Sequence, residues 1–298
     1  MSNPKTQSSV HKTYKLFIGG AFPRSESGRT LPIEGRAPKG AKGPVAQICR
    51  ASRKDLRNAV EVARKAQPGW QNATGLLRGQ ILYRIAEMLA ARSGEMEDLL
   101  CDYRLATPAQ ARAEVQISAE RLLWYAGWCD KLSQVIGSVN AVNGPYFNFS
   151  MPEAQGVVAV LPPERPCLLG LVSTLAPALV PGNSAVVVSS IETGPVVMTF
   201  AEILATSDVP AGVVNLLSAD REELVPTLAS HRDINANFLA CPGELDLTPM
   251  RLEASDHIKR SLDLPPHGLA WWKGPEAQSL RWIESFCEIK TAWHPMGY

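Results

Sequence analysis

The amino-acid sequence predicts an α/β protein with a doubly wound parallel sheet and helices on both faces. Four short, largely apolar runs predict buried strands, at 157–161, 185–188, 213–217 and 237–240. Helical segments separate them, at 167–180, 193–206 and 220–230. Strands that are apolar along their length are typical of a parallel sheet buried on both faces, and their alternation with helices indicates the doubly wound plan. A hydrophobic content of 45% is sufficient for such a core.

The N-terminal part precedes this repeat. Residues 1–13 are polar and lack an apolar segment, so we expect a disordered leader and no secretory signal. The residues at 14–22 predict a short strand that ends in the Gly19-Gly20 turn.

Three helices are predicted next. Ser52 with Asp55 three residues later resembles a capping box, and the helix that they begin is expected to end at Pro68. Thr107, followed by a proline, begins another helix. Between these two, Thr74 begins a helix whose apolar face is predicted to contain Leu77, Ile81, Ile85, Met88 and Leu89.

The pattern changes to β at 133–151, where Asn143-Gly144 is a hairpin signal inside a predicted ribbon. A final strand is predicted in 284–298 from its alternating apolar residues, Phe286, Ile289 and Trp293.

The residues at 246–283 contain Pro249, Pro265-Pro266 and Gly268. These residues favour turns and interrupt regular elements. We therefore expect a loop-rich closure there instead of another βα repeat.

Charge and composition exclude several function classes. The net charge is +1, so the chain has no electrostatic footprint for nucleic acid or an anionic membrane. The longest apolar stretch, at 167–180, is interrupted by Gly170, Ser173 and Pro177 and is too short for a membrane span. We expect a cytoplasmic protein with no nucleic-acid or membrane partner.

Six cysteines show no CxxC spacing and five histidines show no metal-binding spacing. The sequence therefore predicts reduced thiols, no disulfide framework and no metal site.

Three segments in the repeat resemble the cofactor domain of the aldehyde dehydrogenase superfamily. They are GVVAVLPPERP from Gly156, LAPALVPGN from Leu175 and PAGVVNL from Pro210. The resemblance covers about 14–245 and 284–297. It implies a Rossmann-like cofactor domain at 14–132 and 152–245, and an oligomerisation flap from 133–151 and 284–298. The residues at 246–283 then take the place of the family's catalytic domain.

The resemblance is degenerate at the positions that the family uses for its cofactor and its oxyanion. Glu164 stands where the family has an asparagine that donates to the oxyanion, and such a donor is worth about 2.7 to 4 kcal/mol. Val188 or Ser189 takes the place of a lysine that binds the adenosine ribose, whereas Glu192 is retained.

The turn beside the family's pyrophosphate is also altered. It contains Cys241 and Pro242 here, and the proline removes an N–H donor. We expect no cofactor, with NAD or NADP as the alternative, and we assign no confident cofactor-binding residue.

The resemblance also implies a nucleophilic cysteine and a glutamate base in a domain that does not follow here. Cys241 and Cys287 are the only cysteines after the cofactor-domain motifs, and neither has a neighbouring base in the sequence. We therefore assign no catalytic residue and interpret the chain as a pseudoenzyme, similar to the non-catalytic second half of tandem aldehyde dehydrogenases.

The first functional hypothesis is a structural or regulatory subunit that pairs with a full-length aldehyde dehydrogenase, or with itself, through its strands. The predicted interface residues are Tyr146, Phe147, Phe149, Phe286, Ile289 and Trp293. The alternatives are an NAD(P)-dependent oxidoreductase that acts on aldehydes with divergent site residues, a nucleotide sensor without turnover, and a damaged gene product.

Overall fold

The structure is a computed structural model that describes residues 11–36, 44–240 and 245–297. The strands are β1 (Lys12–Tyr14), β2 (Thr30–Ile33), β3 (Ala46–Cys49), β4 (Ser138–Asn140), β5 (Tyr146–Ala154), β6 (Val157–Leu161), β7 (Ser184–Ser189), β8 (Val214–Ser218), β9 (Ala236–Leu239), β10 (Arg260–Asp263) and β11 (Cys287–Pro295).

The helices are α1 (Arg53–Asn72), α2 (Gly75–Ala91), α3 (Ser93–Asp102), α4 (Pro108–Ala126), α5 (Leu132–Ile136), α6 (Cys167–Leu179), α7 (Gly194–Ala205), α8 (Arg221–Ser230), α9 (Thr248–Asp256), α10 (Leu269–Lys273) and α11 (Leu280–Glu284).

The central sheet has five parallel strands in the order β10-β9-β6-β7-β8. Alternate side chains of β6 enter two separate apolar layers. Val158 and Val160 face the layer that includes α6 and α7, whereas Val157 and Ala159 face the layer that includes α1 and α8. The predicted doubly wound sheet is therefore confirmed, because both faces are covered by helices.

The strand order contains a switch point between β6 and β9. From β6 the chain runs through α6 to β7 and then through α7 to β8, on one side. Helix α8 then returns the chain to β9 on the other side of β6. Open sheets of this kind bind ligands in the crevice outside the carboxyl ends of the strands at such a point. The carboxyl edge of the central sheet is thus the first place to look for a site.

The N-terminal segment differs from its prediction. Lys12 and Thr13 belong to β1, which pairs in parallel with β3, so the expected disorder is wrong for these two residues because backbone pairing fixes them. Residues 1–10 of the predicted leader lie outside the described residues. The predicted strand at 14–22 ends at Tyr14, and the Gly19-Gly20 turn has positive φ at both glycines.

Helix α1 confirms its predicted start but passes its predicted end. Ser52 and Asp55 form a reciprocal capping box, and the helix continues through Pro68 to Asn72. Tertiary contacts offset the lost backbone hydrogen bond, because the indole of Trp70 is buried and its Nε1 donates to the carbonyl of Leu179 at 3.1 Å.

The next two helices start where the sequence predicts. Thr74 accepts a hydrogen bond from the N–H of Leu77, and Thr107 forms a capping box with Gln110. The predicted apolar face of α2 is buried at Ile81, Ile85 and Leu89 and half-buried at Met88, whereas Leu77, in the first turn, is exposed.

The residues at 246–283 contain more regular structure than predicted. Helix α9 leads to β10, which adds a fifth parallel strand beside β9, so a further βα unit is present. The prediction of a loop-rich closure is therefore wrong. It missed β10 because an edge strand is not buried on both faces and so does not need the continuous apolar run by which the other strands were recognised. Helices α10 and α11 contribute Trp272 and Trp282 to the apolar layer that includes α6 and α7.

The ribbon predicted at 133–151 is confirmed from 138 onward, as part of a separate three-stranded antiparallel sheet in the order β11-β5-β4, which we call the flap. The ribbon's predicted start is wrong, because 133–136 belong to helix α5. Phe286 does not belong to the flap. This residue is fully buried, with its ring 5.4 Å from that of Phe238, so its prediction as an interface residue is wrong. It belongs to the core because the chain passes over β9 just before β11 begins.

Candidate functional site

Arg221 is the central side chain at the carboxyl edge of the sheet. As the first residue of α8, it follows directly after the turn that ends β8. Its Nη2 donates to the carbonyl oxygen of Pro162, after β6, at 2.9 Å. Its Nε donates to the carbonyl oxygen of Val188, in β7, at 3.2 Å. The guanidinium therefore bridges the ends of two neighbouring parallel strands, and only 8% of the residue is exposed.

Glu164 lies beside this guanidinium. Its Oε1 is 4.0 Å from Nη1 of Arg221, and its side chain is 45% exposed. The next residue, Arg165, donates from Nη2 to the carbonyl oxygen of Arg104, just after α3, at 3.2 Å.

Other carboxylates surround the same edge. Glu192 is exposed in the turn after β7. Asp220 and Glu223, at the start of α8, both form ion pairs with Arg50, at 3.3 Å for Asp220. Carboxylates at this edge oppose the binding of a dinucleotide pyrophosphate, which needs unused N–H donors and positive potential.

The two candidates for the ribose-binding position are buried inside the sheet. Val188 lies in the apolar layer under α1 and α8. The hydroxyl of Ser189 donates to the carbonyl of Leu217 at 3.1 Å. Neither side chain offers a free donor at the edge, so these residues do not fit the ribose of a nucleotide. Cys241 and Pro242 lie outside the described residues.

Three of the five described cysteines lack the properties of a nucleophile. The thiol of Cys287 is buried and donates to the carbonyl of Ile283 at 3.3 Å, and burial raises its pKa to about 12. Burial also raises the pKa of Cys129 to about 12 and that of Cys167 well above its ordinary value. Because the thiolate is the reactive form, these three thiols stay protonated near neutral pH and are poor nucleophiles.

Glu114, which the sequence did not single out, is a buried carboxyl beside the start of α6. It is 2% exposed, and its Oε1 accepts hydrogen bonds from the N–H groups of Leu168 and Leu169 at 2.5 and 3.2 Å. Burial raises its pKa to about 7. All of its described contacts belong to the first turn of α6, so it is a helix cap.

The flap presents apolar side chains to solvent. One face contains Val139, Phe147 and Met151, which are 71%, 44% and 41% exposed. The opposite face contains Ile289 and Trp293, and the Trp293 ring packs edge-on against the ring of Tyr146 at 5.8 Å. Phe149 is half-buried beside Phe147. Five of the predicted interface residues therefore lie together on this sheet, and Phe286 does not.

Strand β11 forms the outer edge of the flap. The N–H of Met296 donates to the carbonyl of Pro145, which makes the even-numbered residues of β11 the hydrogen-bonded partners of β5. The backbone N–H and C=O groups of the alternate residues point away from β5. These outward residues are Ile289, Thr291 and Trp293.

The aldehyde dehydrogenase family model matches residues 24–240, which include the cofactor-type sheet up to β9. The chain belongs to the aldehyde dehydrogenase family. The alpha-ketoglutaric semialdehyde dehydrogenase of Bacillus subtilis is 31% identical over 228 residues, which are 75% of this chain and 45% of that protein. Cytosolic aldehyde dehydrogenase 1 of Elephantulus edwardii is 27% identical over 272 residues, 86% of this chain and 51% of that protein.

The solved structures agree in fold. The NAD⁺ complex of an aldehyde dehydrogenase from Bacillus cereus has a TM-score of 0.77 at 23% identity, covering 89% of this chain and 53% of that one. The chain thus spans about half the length of the aldehyde dehydrogenases that it matches.

Two kinds of feature are absent from the described residues. In the parts of the chain described here, no helix has the length and apolarity needed to cross a membrane. Within the same three ranges, no cluster of His, Cys, Asp and Glu side chains could hold a metal ion.

The structure brings two of the sequence-predicted site residues together and adds one that the sequence did not indicate. Glu164 and Val188 meet through Arg221, which contacts the side chain of one and the backbone of the other. An arginine at the start of a helix, next to acidic residues, has the signature of a surface residue. Only the strand order shows that it extends over the sheet.

Proposed function

We propose that this chain is a non-catalytic member of the aldehyde dehydrogenase family that pairs through its flap with a full-length aldehyde dehydrogenase. It would act as a structural or regulatory subunit. The observation that supports this most is the outer edge of β11, where backbone groups that no described strand pairs with lie between exposed apolar side chains.

Such an edge is costly to leave open. An exposed strand with apolar side chains attracts other strands, and proteins normally shorten, charge or cover it. Strand β11 is nine residues long, and Ile289 and Trp293 remain 52% and 60% exposed on it. Addition of a partner strand would satisfy the backbone groups of Thr291 and cover both side chains.

The partner's chemical class follows from the relation to the family. The chain belongs to the family of these proteins and spans about half their length. The resemblance implies that a full-length relative carries a flap of its own and a surface that a flap covers, so such a relative would offer a site of matching shape. A second copy of this chain offers the flap but not the additional half.

The absence of an active centre in the described residues supports a non-catalytic role. Oxidation of an aldehyde in this family needs a thiolate, a base and an oxyanion donor. Here the thiol of Cys287 is buried, with its pKa raised to about 12, and Glu164 stands at the oxyanion position.

The test is co-expression of the tagged chain with each full-length aldehyde dehydrogenase of its own cell, followed by affinity capture and native mass measurement. Thr291→Pro removes an outward N–H of β11 without removing a hydrogen bond to β5. Thr291→Ala is the matched control, because it also loses the contact between the hydroxyls of Thr291 and Ser150. We expect the wild type and Thr291→Ala to capture a dehydrogenase, and Thr291→Pro to capture at least about tenfold less.

Two results would contradict the proposal. One is a chain that is recovered alone or only as a homo-oligomer with every dehydrogenase tested. The other is aldehyde-dependent NADH formation by the purified chain, which would support the oxidoreductase hypothesis.

A further inference from the structure

We propose that Arg221 is a built-in occupant of the nucleotide crevice, which excludes NAD by filling the carboxyl edge of the sheet with the chain's own guanidinium. This inference goes beyond the proposed pairing function. It concerns the crevice and not the flap, so either can fail without the other.

The position of the guanidinium is the first support. It spans from the carbonyl of Pro162 to that of Val188, across the ends of β6 and β7 and next to the switch point. Dinucleotides bind to parallel sheets in the crevice outside these strand ends. A ribose or a pyrophosphate cannot approach this part of the backbone while the guanidinium lies on it.

The second support is that the described donors of Arg221 are used within the protein. Nε and Nη2 are bonded to backbone oxygens, and Nη1 faces the carboxylate of Glu164 at 4.0 Å. A phosphate-binding arginine presents its fork of donors to the ligand and keeps a positive potential there. Here the carboxylates of Glu164 and Glu192 give the rim the opposite charge.

Burial is the third support. With 8% of the residue exposed, the guanidinium would have to leave its place for a nucleotide to enter. That movement would break two hydrogen bonds from a charged group and leave two strand-end carbonyls without partners. The closed arrangement is therefore favoured over a nucleotide-bound one.

The experiment is a calorimetric titration of the purified full chain with NAD up to about 10 mM. Arg221→Ala vacates the crevice, and Arg221→Ser vacates it while keeping a hydroxyl that can donate to one strand-end carbonyl. Arg221→Met removes the charge but keeps most of the bulk. Arg50→Ala is the charge-matched control, because Arg50 pairs with Asp220 and Glu223 without contacting the strand ends.

We expect no saturable binding by the wild type, Arg221→Met or Arg50→Ala. Arg221→Ala and Arg221→Ser should bind NAD at least about tenfold more tightly than the wild type, which corresponds to about 1.4 kcal/mol. Circular dichroism and urea unfolding report whether each variant is folded.

Three results would overturn the proposal. If the wild type binds NAD below about 100 µM, the crevice is open. If Arg221→Ala weakens such binding, the arginine is a phosphate ligand. If folded Arg221→Ala and Arg221→Ser gain no affinity, Arg221 is not what excludes the nucleotide.

Discussion

Replacement of Glu114 by glutamine should remove a specific pH dependence of stability. The carboxyl is buried against the first turn of α6, and its pKa rises from an ordinary 4.5 to about 7 because burial disfavours the charged form. The folded protein therefore holds this proton to a higher pH than the unfolded chain. The contribution of the protonated carboxyl to the free energy of unfolding is fully present below about pH 4.5 and is lost as the pH rises through about 7.

The magnitude follows from the same two pKa values. At about 1.4 kcal/mol for each pH unit, the rise from 4.5 to about 7 costs the wild type about 3 kcal/mol once the carboxyl is ionised. About 2.5 kcal/mol of this loss falls between pH 5 and pH 8. Glutamine keeps an oxygen that accepts from Leu168 and Leu169 and does not titrate.

Urea unfolding of both proteins at pH 5 and pH 8 measures the effect. Glu114→Gln should gain about 2.5 kcal/mol relative to the wild type between these pH values. The N-terminal end of α6 opposes the effect of burial on this pKa, because its N–H groups favour the ionised carboxylate. If the relative stability of the two proteins is the same at both pH values, or if the wild type gains, the helix end outweighs burial and the reasoning is refuted.

Three further predictions concern the buried thiol of Cys287 and helix α1. Cys287 should resist alkylation by iodoacetamide at pH 8 in the folded protein and react in urea, because its thiol is buried with a pKa of about 12. Rapid labelling of Cys287 in the folded protein, located by mass spectrometry, would contradict this. Trp70→Phe should lower the free energy of unfolding by about 0.5 to 1.5 kcal/mol, because the buried carbonyl of Leu179 loses the indole N–H and keeps only the N–H of Gly182 as a donor. An unchanged urea midpoint would argue against a contribution from the indole hydrogen bond. Pro68→Ala should raise the free energy of unfolding by up to about 3 kcal/mol, because alanine supplies the helical N–H that proline lacks. A lower melting temperature in thermal denaturation would mean that the proline fits α1 without strain.

Most of the fold could be predicted because local signals and tertiary structure agree there. The capping residues Ser52 and Thr107 begin their helices as expected, since each satisfies N–H groups within its own turn. The apolar strands of the sheet were recognisable because both of their faces are buried, with Val157 and Val158 entering opposite layers.

The misses occur where tertiary contacts override a local signal. Pro68 normally ends a helix, but the buried Trp70 keeps α1 helical beyond it. Strand β10, of sequence Arg-Ser-Leu-Asp, is an edge strand and has no apolar run to detect. Phe286 lies three residues before Ile289 and is out of phase with the alternation of the final strand, and its ring packs on Phe238 in the core.

The candidate site was predictable only in part. The substitutions at Glu164 and Val188 are visible in the sequence, because a family pattern exists to compare them with. Arg221 has no such pattern, and its role depends on which strand ends lie within reach of α8. Chain order alone does not specify that arrangement.

The pairing of β11 is the central claim, and amide hydrogen exchange of the peptide 287–295 tests it most directly. The chain is measured alone and after complex formation with a full-length aldehyde dehydrogenase. We expect exchange to slow at Ile289, Thr291 and Trp293, whose N–H groups point away from β5, and to change little at the residues between them. A stable complex in which this peptide exchanges as fast as in the free chain would contradict the account.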